Sequence, residues 1–299
     1  MKNRTSFPSF KNEKVRTALL LAAGTGSRLA PFTDAMPKCL VPVNEISILE
    51  RLIDSLKEHN FKRLVIVVGH QGGCIRDFLG TRAGGMKIDY ITSPLYKTTN
   101  NIYSLWLARK VIDEPFLLIE SDIVFDSQML KEMLYPDRIA VAKVHPWMDG
   151  TTVTINNRRK IEAFYGGAHK RDDKHYKTVN IYSLSSETWQ LMKERLDVQI
   201  SANMLNGYYE SIFADMVNEG CLDFSPVFFD SARWYEIDNI SDLRAAEQMR
   251  TLPHHPSAIA SFPVLKKQKG HTPHVPYVLY NRRKDINSFS REAAPKMLS

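Results

Sequence analysis

Residues 19–43 read LLLAAGTGSRLAPFTDAMPKCLVPV. The stretch opens inside a continuous apolar run, residues 17–23 (TALLLAA), that stops at Gly24. Unbroken apolarity, rather than alternation, predicts a strand covered on both faces, as in a parallel sheet. Gly24 and Gly26 then let the backbone turn sharply and bring N–H groups close to phosphate oxygens. Arg28 and Lys38 add positive charge to the same loop. An Arg grips a phosphate through two nitrogens, whereas a Lys acts as a point charge. Pro37 and Pro42 stiffen the segment. Two common phosphate loops are excluded: the third glycine of G-x-G-x-x-G would fall on Leu29, and no G-K-[ST] follows.

Downstream the chain alternates. Residues 47–60 (SILERLIDSLKEHN) place apolar side chains at a helical period, with Ser47 as N-cap. Residues 63–69 (RLVIVVG) predict a second buried strand and residues 87–93 a third. Asn100 and Asn101 open a helix that runs to about residue 111; residues 116–120 (FLLIE) and 139–144 are further strands. This repetition predicts an α/β fold, a mixed and mainly parallel sheet with helices on both faces. From residue 151 the texture changes. Residues 151–155, 160–165 and 179–184 read as short, partly antiparallel strands, a small subregion of their own. Helices follow near 186–196 and 207–219, then strands at 224–229 and 234–238, and a last helix, 241–250, capped by Ser241. No linker-like stretch divides residues 17–250, which are expected to be one domain between an N-terminal extension, 1–16, and a tail, 251–299.

Charge separates the same three parts. The chain has 299 residues with 40 Lys and Arg against 33 Asp and Glu, a net charge of +7. Residues 250–299 hold nine basic and two acidic residues, and residues 1–16 hold five and one, so residues 17–249 carry a net −4. The basic character belongs to the ends, which predicts no specific nucleic-acid function for the body. The tail also holds six of fifteen prolines and four of nine histidines. It reads as an irregular appendage, suited to joining a second subunit, a partner or a fused domain. No apolar run approaches the roughly 18–20 residues that span a bilayer. The first residues, MKNRTSFPSFKNEKVR, have no apolar centre and predict no secretory signal. Cys39, Cys74 and Cys221 are far apart and form no C-x-x-C, which argues against a disulfide scaffold or thiolate zinc site and predicts a cytoplasmic setting.

In open α/β sheets, ligands bind beyond the carboxyl ends of the strands. Two aspartates stand there. Asp122 ends the strand of LLIESDIVF, and Asp238 follows the short strand of WYEIDNISDL. Either can hold Mg²⁺ bridging phosphates, and either can equally serve as a turn or helix-cap residue. Glu120 and Glu236 lie two residues before them: Glu120 suits a structural role more than that of a helper, and Glu236 can support Asp238 from the same strand face.

The loop at 19–43 resembles the nucleotide-binding signature of the nucleotidyltransferases that activate sugar phosphates and related small phosphates, L-A-A-G-x-G-x-R-L followed by P-K. The likeness extends over about 17–250 and implies a Rossmann-like fold of the nucleotide-diphospho-sugar transferase type. It implies that Leu21, Ala22, Ala23, Gly24, Thr25 and Gly26 wrap the triphosphate, that Arg28 and Lys38 neutralise it as the catalytic cations, and that Asp122 and Asp238 bind the catalytic Mg²⁺.

Residues 93–107 (SPLYKTTNNIYSLWL) and 176–184 (YKTVNIYSL) are similar to the cytidylyltransferases that activate phosphocholine and aminoethylphosphonate. The likeness implies CTP, a small phosphate or phosphonate acceptor, and release of pyrophosphate. Ser93, Asn100 and Ser104 are candidates for holding the nucleotide and Asn101 for the acceptor, while Asn100 and Asn101 also suit helix caps. In HPWMDGT, Trp147 can stack on a quaternary ammonium and Asp149 can pair with an amine. The ordinary alternatives are Trp147 under a loop and Asp149 beginning a turn. Asn180 and Tyr182 are expected to border the acceptor cavity; Lys160 and Lys177 can meet the acceptor phosphate, though exposed lysines are commonplace. Three rivals stay open: a sugar-1-phosphate nucleotidyltransferase using UTP or dTTP, a non-catalytic nucleotide-sensing domain, and a nucleic-acid-binding module that uses the basic tail.

Overall fold

The computed structural model describes residues 14–167 and 174–249, and the backbone of two short antiparallel strands, Val264–Lys267 and Tyr277–Tyr280. In chain order, β1 spans Thr17–Ala22, β2 Pro42–Val43 and β3 Ile46–Ser47, followed by helix α1, Ile48–Glu58. Then come β4 Arg63–Val68, α2 Gly72–Leu79, β5 Arg82–Ala83, β6 Met86–Thr92 and α3 Asn101–Ala108. Next are β7 Phe116–Glu120, β8 Ile123–Phe125, α4 Leu130–Met133, β9 Arg138–Lys143, β10 Thr152–Ile155, β11 Ile161–Tyr165 and β12 His175–Leu184. The described body closes with α5 Ser186–Ser201, α6 Glu210–Asn218, β13 Ser225–Phe228, β14 Trp234–Glu236 and α7 Ile240–Glu247.

The centre of the sheet is parallel. Strand β1 pairs with β4 on one side and β7 on the other, and β4 pairs with β6. Beyond β7 the direction reverses: β12 lies antiparallel to β7, β9 and β10, which makes the antiparallel subregion. The sheet has ten strands, with β11 and β5 at its two ends and β9 and β13 branching from β12.

The apolar run of β1 serves two cores. Ala18, Leu20 and Ala22 pack into the layer that holds α1, α2, α4 and α7. Leu19, Leu21 and Ala23 pack into the layer that holds α3, α5 and α6. Each fully buried Leu contributes roughly 1.5–3 kcal/mol, so a strand without one polar face is the expected solution for a two-sided sheet.

Several boundaries differ from the sequence reading. The packed body begins before residue 17: Val15 is buried, and its N–H donates to the Leu134 carbonyl at 2.7 Å. Helix α2, which opens with two glycines, is not among the expected helices, although Ile75, Phe78 and Leu79 lie at helical spacing and are buried. Strand β12 starts at His175, four residues earlier than the alternation suggested. Ser47 caps α1 as expected, accepting from the Glu50 N–H. Ser241 does not cap the last helix. Asn239 does, accepting from the Asp242 N–H, while the Asp242 carboxylate accepts from the Asn239 N–H in return. Of the expected N-terminal extension, 1–16, residues 1–13 lie outside the described residues, as does the expected tail, 251–299, apart from the backbone of the two short strands.

Candidate active site

The loop after β1 is folded on itself. Gly26 has φ +62°, and a Cβ there would stand 3.0 Å from the Thr33 methyl and 3.2 Å from the Lys38 Cβ, so glycine is required. Gly24 is different: a Cβ added to it would meet nothing within 4 Å. Packing does not demand that glycine, and its absence of a side chain leaves the backbone open to a ligand. Leu21, Ala22 and Ala23 are buried at the end of β1, whereas Gly24 and Thr25 are exposed. The end of β4 pins the loop: the His70 N–H donates to the Ala23 carbonyl, and its ring lies 2.9 Å from the Thr33 carbonyl. A Cβ on Gly69 would come within 2.6 Å of the Ala23 oxygen, so this glycine allows the two strand ends to converge.

Lys38 lies at the centre of the site. Its Nζ donates to Asp122 Oδ2 and to Asp238 Oδ1, each at 2.9 Å. Arg28 adds a second cation to Asp238 Oδ1 at 2.7 Å, with most of its own side chain exposed. The meeting of residues so far apart in sequence is the work of a two-stranded pairing. Strand β14 runs antiparallel to β8, with Glu236 opposite Ile123, and the Ile237 N–H donates to the Asp122 carbonyl. Because Asn239 and Asp242 satisfy the start of α7, the Asp238 carboxylate is free of capping. Burial alone would lower the Lys38 ammonium's pKa, but the two carboxylates more than reverse this and hold it above its ordinary value. Burial pushes Asp238 upward, and Lys38, Arg28 and Lys177 outweigh it and hold the carboxyl low. Asp122 Oδ1 is buried with no hydrogen-bond partner.

A second group of carboxylates lies behind this pair. Glu236 accepts from Lys177 Nζ at 3.1 Å and from Asn180 Nδ2 at 3.0 Å. Asn180 reaches it from a bulge in β12, where the register against β9 shifts between Thr178 and Tyr182 and Asn180 takes φ +58°. Asn tolerates that left-handed conformation, and bulges re-aim side chains in this way. Glu120, at the end of β7, accepts from Asn101 Nδ2 at 3.2 Å, and Asn101 Oδ1 accepts from the Tyr209 N–H at 3.1 Å. Asn101 thus ties the starts of α3 and α6 to the end of β7. Burial, and then the negative charges of Asp122 and Glu210, drive the Glu120 carboxyl well above its ordinary value. Glu236 is raised by burial, with Lys177 opposing it and Asp122 and Asp238 reinforcing it. Burial brings Glu210, the first residue of α6, up to about 7.

The family described as Nucleotidyl transferase matches residues 17–248. The chain belongs to the nucleotidyltransferase family. Among relatives of this nucleotidyltransferase is the CMP-5'-(3-aminopropyl)phosphonate synthase of Streptomyces rubellomurinus, 32% identical over 248 residues, 77% of this chain and 38% of that protein. The chain therefore spans well under half of that relative's length. The choline-phosphate cytidylyltransferase of Streptococcus pneumoniae is 24% identical over 242 residues, 78% of this chain and 97% of that one. The solved structure of the CTP:phosphocholine cytidylyltransferase from Streptococcus pneumoniae superposes with a TM-score of 0.68 at 23% identity, over 79% of this chain and 98% of that one. At that identity the superposition establishes the fold.

The remaining candidates of the nucleotidyltransferase fall into three groups. Arg28, Trp147, Asp149, Glu236 and Asp238 line one cleft. Trp147 is exposed there, with its ring stacked on His145 at 4.5 Å between centroids. It is not packed under a loop. Ser93 and Ser104 are buried, Ser93 with its hydroxyl unpartnered, and Asn100 is the N-cap of α3. Tyr182 is a correction in that it does not line this cleft: its ring is fully buried among Tyr209, Phe213 and Phe224, because β12 alternates it into the core that holds α3, α5 and α6, and its hydroxyl lies toward Glu210. Lys177 is another. It is a buried residue paired with Glu236, and Lys160 pairs with Asp223, so neither stands ready for an acceptor phosphate. Glu210, Tyr209 and the strand end at Gly69 were not singled out from sequence. Among the described residues all three cysteines are free, and no helix is long and apolar enough to cross a membrane.

Proposed function

We propose that this nucleotidyltransferase is a cytidylyltransferase that joins CTP to a small phosphorylated amino alcohol or aminophosphonate, of phosphocholine or 2-aminoethylphosphonate type, and releases pyrophosphate. The observation that carries the reading is the Asp122–Lys38–Asp238 cluster at the mouth of an open glycine loop. The named activities of the Streptomyces and Streptococcus relatives support the choice of nucleotide and acceptor.

An ionised acceptor oxygen attacks the α-phosphorus of CTP in line; a P–O bond forms as the bond to pyrophosphate breaks. That oxygen is already anionic near neutral pH, so no general base is required. Alignment and charge neutralisation are what the protein must supply. Lys38 and Arg28 neutralise the triphosphate and the departing pyrophosphate, and the loop from Ala23 to Gly26, beyond the paired end of β1, offers N–H groups to its oxygens.

Among the described residues no group of three or more His, Cys, Asp or Glu gathers as a metal cage. The acid pair nonetheless fits Mg²⁺, which takes one or two carboxylates and keeps water and phosphate for the rest. Asp122 Oδ1, buried and unpartnered, is a hard oxygen donor of the kind this ion prefers. Asp122 and Asp238 would hold the ion, whose chemistry is to neutralise charge on the reacting phosphates.

The test is pyrophosphate release with Mg²⁺ across four nucleoside triphosphates, against phosphocholine, phosphoethanolamine, 2-aminoethylphosphonate and glucose 1-phosphate. Release with CTP and an amino-bearing acceptor is expected. Release only with UTP or dTTP and the sugar phosphate would overturn the acceptor and nucleotide, and no release from any pair would overturn the activity.

A further inference from the structure

Glu120, Glu210 and Glu236 bring three carboxylates together behind the acid pair. Each feels the others or their neighbours: Glu120 couples to Glu210, and Glu210 to Glu236. The cation that meets them is Lys177, and its contact is with Glu236. Glu120 and Glu210 have the neutral amide of Asn101 beside them, and Lys177 acts on Glu210 through space without pairing with it.

Unmatched hydrogen-bonding groups lie beside the same carboxylates. Glu210 Oε2 is buried with no hydrogen-bond partner, and the buried Tyr209 and Tyr182 hydroxyls make no hydrogen bond of ordinary geometry. Glu210 is 8% exposed, and both tyrosines are fully buried. The Tyr209 phenol stands against Glu120 and Glu210, and the Tyr182 phenol against Glu210. Buried polar groups are ordinarily paired, and an unpaired one beside a site points to a missing partner. A partner that draws these raised carboxyls into their ionised form must be positive, must donate several hydrogen bonds and must be small. Water brings no charge. A quaternary ammonium brings charge but no N–H, and asks for an aromatic face rather than carboxylate oxygens. A primary ammonium meets all three demands.

The cluster adjoins the chemistry. Glu120 is two residues from Asp122 and Glu236 two residues from Asp238, and Glu120 remains partly open to solvent. An acceptor whose phosphate or phosphonate lies at the acid pair can extend a short chain inward.

We infer that Glu120, Glu210 and the Tyr209 hydroxyl form a subsite for a primary ammonium on the acceptor, and that this subsite, rather than Trp147 and Asp149, sets acceptor choice. The inference rests on the cytidylyltransferase reading for the position of the acceptor's phosphate end.

The experiment is titration calorimetry on the full chain with Mg²⁺ and a non-hydrolysable CTP analogue. The probes are 2-aminoethylphosphonate, ethylphosphonate and the N,N,N-trimethyl derivative of the first. The amine is expected to bind at least about tenfold tighter than either other probe, the scale of a charge-assisted hydrogen bond. Glu210→Gln and Tyr209→Phe, which keep side-chain size, should each shrink that preference severalfold. Equal binding of the three probes, tighter binding of the trimethyl derivative, binding of none, or a preference unchanged in both variants would each overturn the subsite. Pyrophosphate release separates the two readings. A chain that turns over CTP with ethylphosphonate as well as with the amine keeps the activity and loses the subsite. A chain that prefers the amine in calorimetry but releases no pyrophosphate keeps the subsite and loses the activity.

Discussion

The Ile237 backbone N–H donates to the Asp122 carbonyl at 2.9 Å. This bond extends the β8–β14 pairing by one step and sets Asp238 beside Asp122, so that both carboxylates reach the same Lys38 nitrogen. Asp122→Asn keeps this backbone bond and the side-chain volume but removes one of the two charges. Turnover should fall by at least about 100-fold, the loss expected when a preorganised electrostatic group is removed. Far-ultraviolet circular dichroism should be unchanged. A near-normal rate of pyrophosphate release would remove Asp122 from the chemistry.

Lys38→Met takes the cation from between the two aspartates. The site's negative charges are then uncompensated except by Arg28 on Asp238. The variant should lose about 1–3 kcal/mol of stability, the usual scale for hydrogen bonds to charged groups. Millimolar Mg²⁺ should restore more of its melting temperature than it adds to the wild type. Equal Mg²⁺ effects on the two proteins would count against a shared cation position.

Much of this centre was legible in the chain because each half is local. A buried strand followed by Gly24 and Gly26, and a strand followed by Asp122, can be read from runs of fewer than ten residues. The pairing that joins them was not legible, since β8 and β14 are more than a hundred residues apart and three residues long. Glu210 gave no signal for a related reason. In YYESIF a Glu is an ordinary first-turn helix residue, favourable to the helix dipole, until the fold buries it. Tyr182 shows the opposite failure. Its neighbours in sequence suggest a binding motif, yet the alternation of β12 turns its ring into an aromatic core.

Asn180 combines a hydrogen bond to Glu236 with a left-handed backbone, and two substitutions separate them. Asn180→Gly keeps the backbone freedom and loses the bond, at about 1 kcal/mol. Asn180→Ala loses both and should cost a further 1–2 kcal/mol or so. Both should raise the acceptor KM to a similar degree if the Glu236 contact is what matters at the site. Chemical denaturation and acceptor titrations of the pair measure the two effects independently.

Burial holds the Glu210 carboxyl at about 7, against an ordinary 4.5. The groups around it are Glu120, Glu236, Lys177, Asn101, Tyr182 and Tyr209. Below pH 4.5 the group is protonated folded and unfolded alike. Between the two values the folded state binds the extra proton, so this residue's contribution to stability falls as pH rises and is fully lost above about 7. The total is roughly 3 kcal/mol. Glu210→Gln should therefore lose less stability than wild type between pH 5 and pH 8, and urea melts at both pH values measure the difference. Parallel pH profiles would place the ionisation elsewhere.

Trp147 provides the remaining contrast. Its ring is 59% exposed and rests on His145, so Trp147→Ala should change stability by no more than about 0.5 kcal/mol. A cation over that ring would be worth about 0.5–2 kcal/mol. A quaternary acceptor that uses the ring should then lose between twofold and thirtyfold in kcat/KM, while a primary amine held by Glu120 and Glu210 should lose little. Steady-state rates with phosphocholine and 2-aminoethylphosphonate, measured on the same variant, compare the two directly. An equal loss for both would mean that Trp147 shapes the cleft for any acceptor, whereas a loss confined to the primary amine would move the ammonium from the buried carboxylates to the surface beside Asp149.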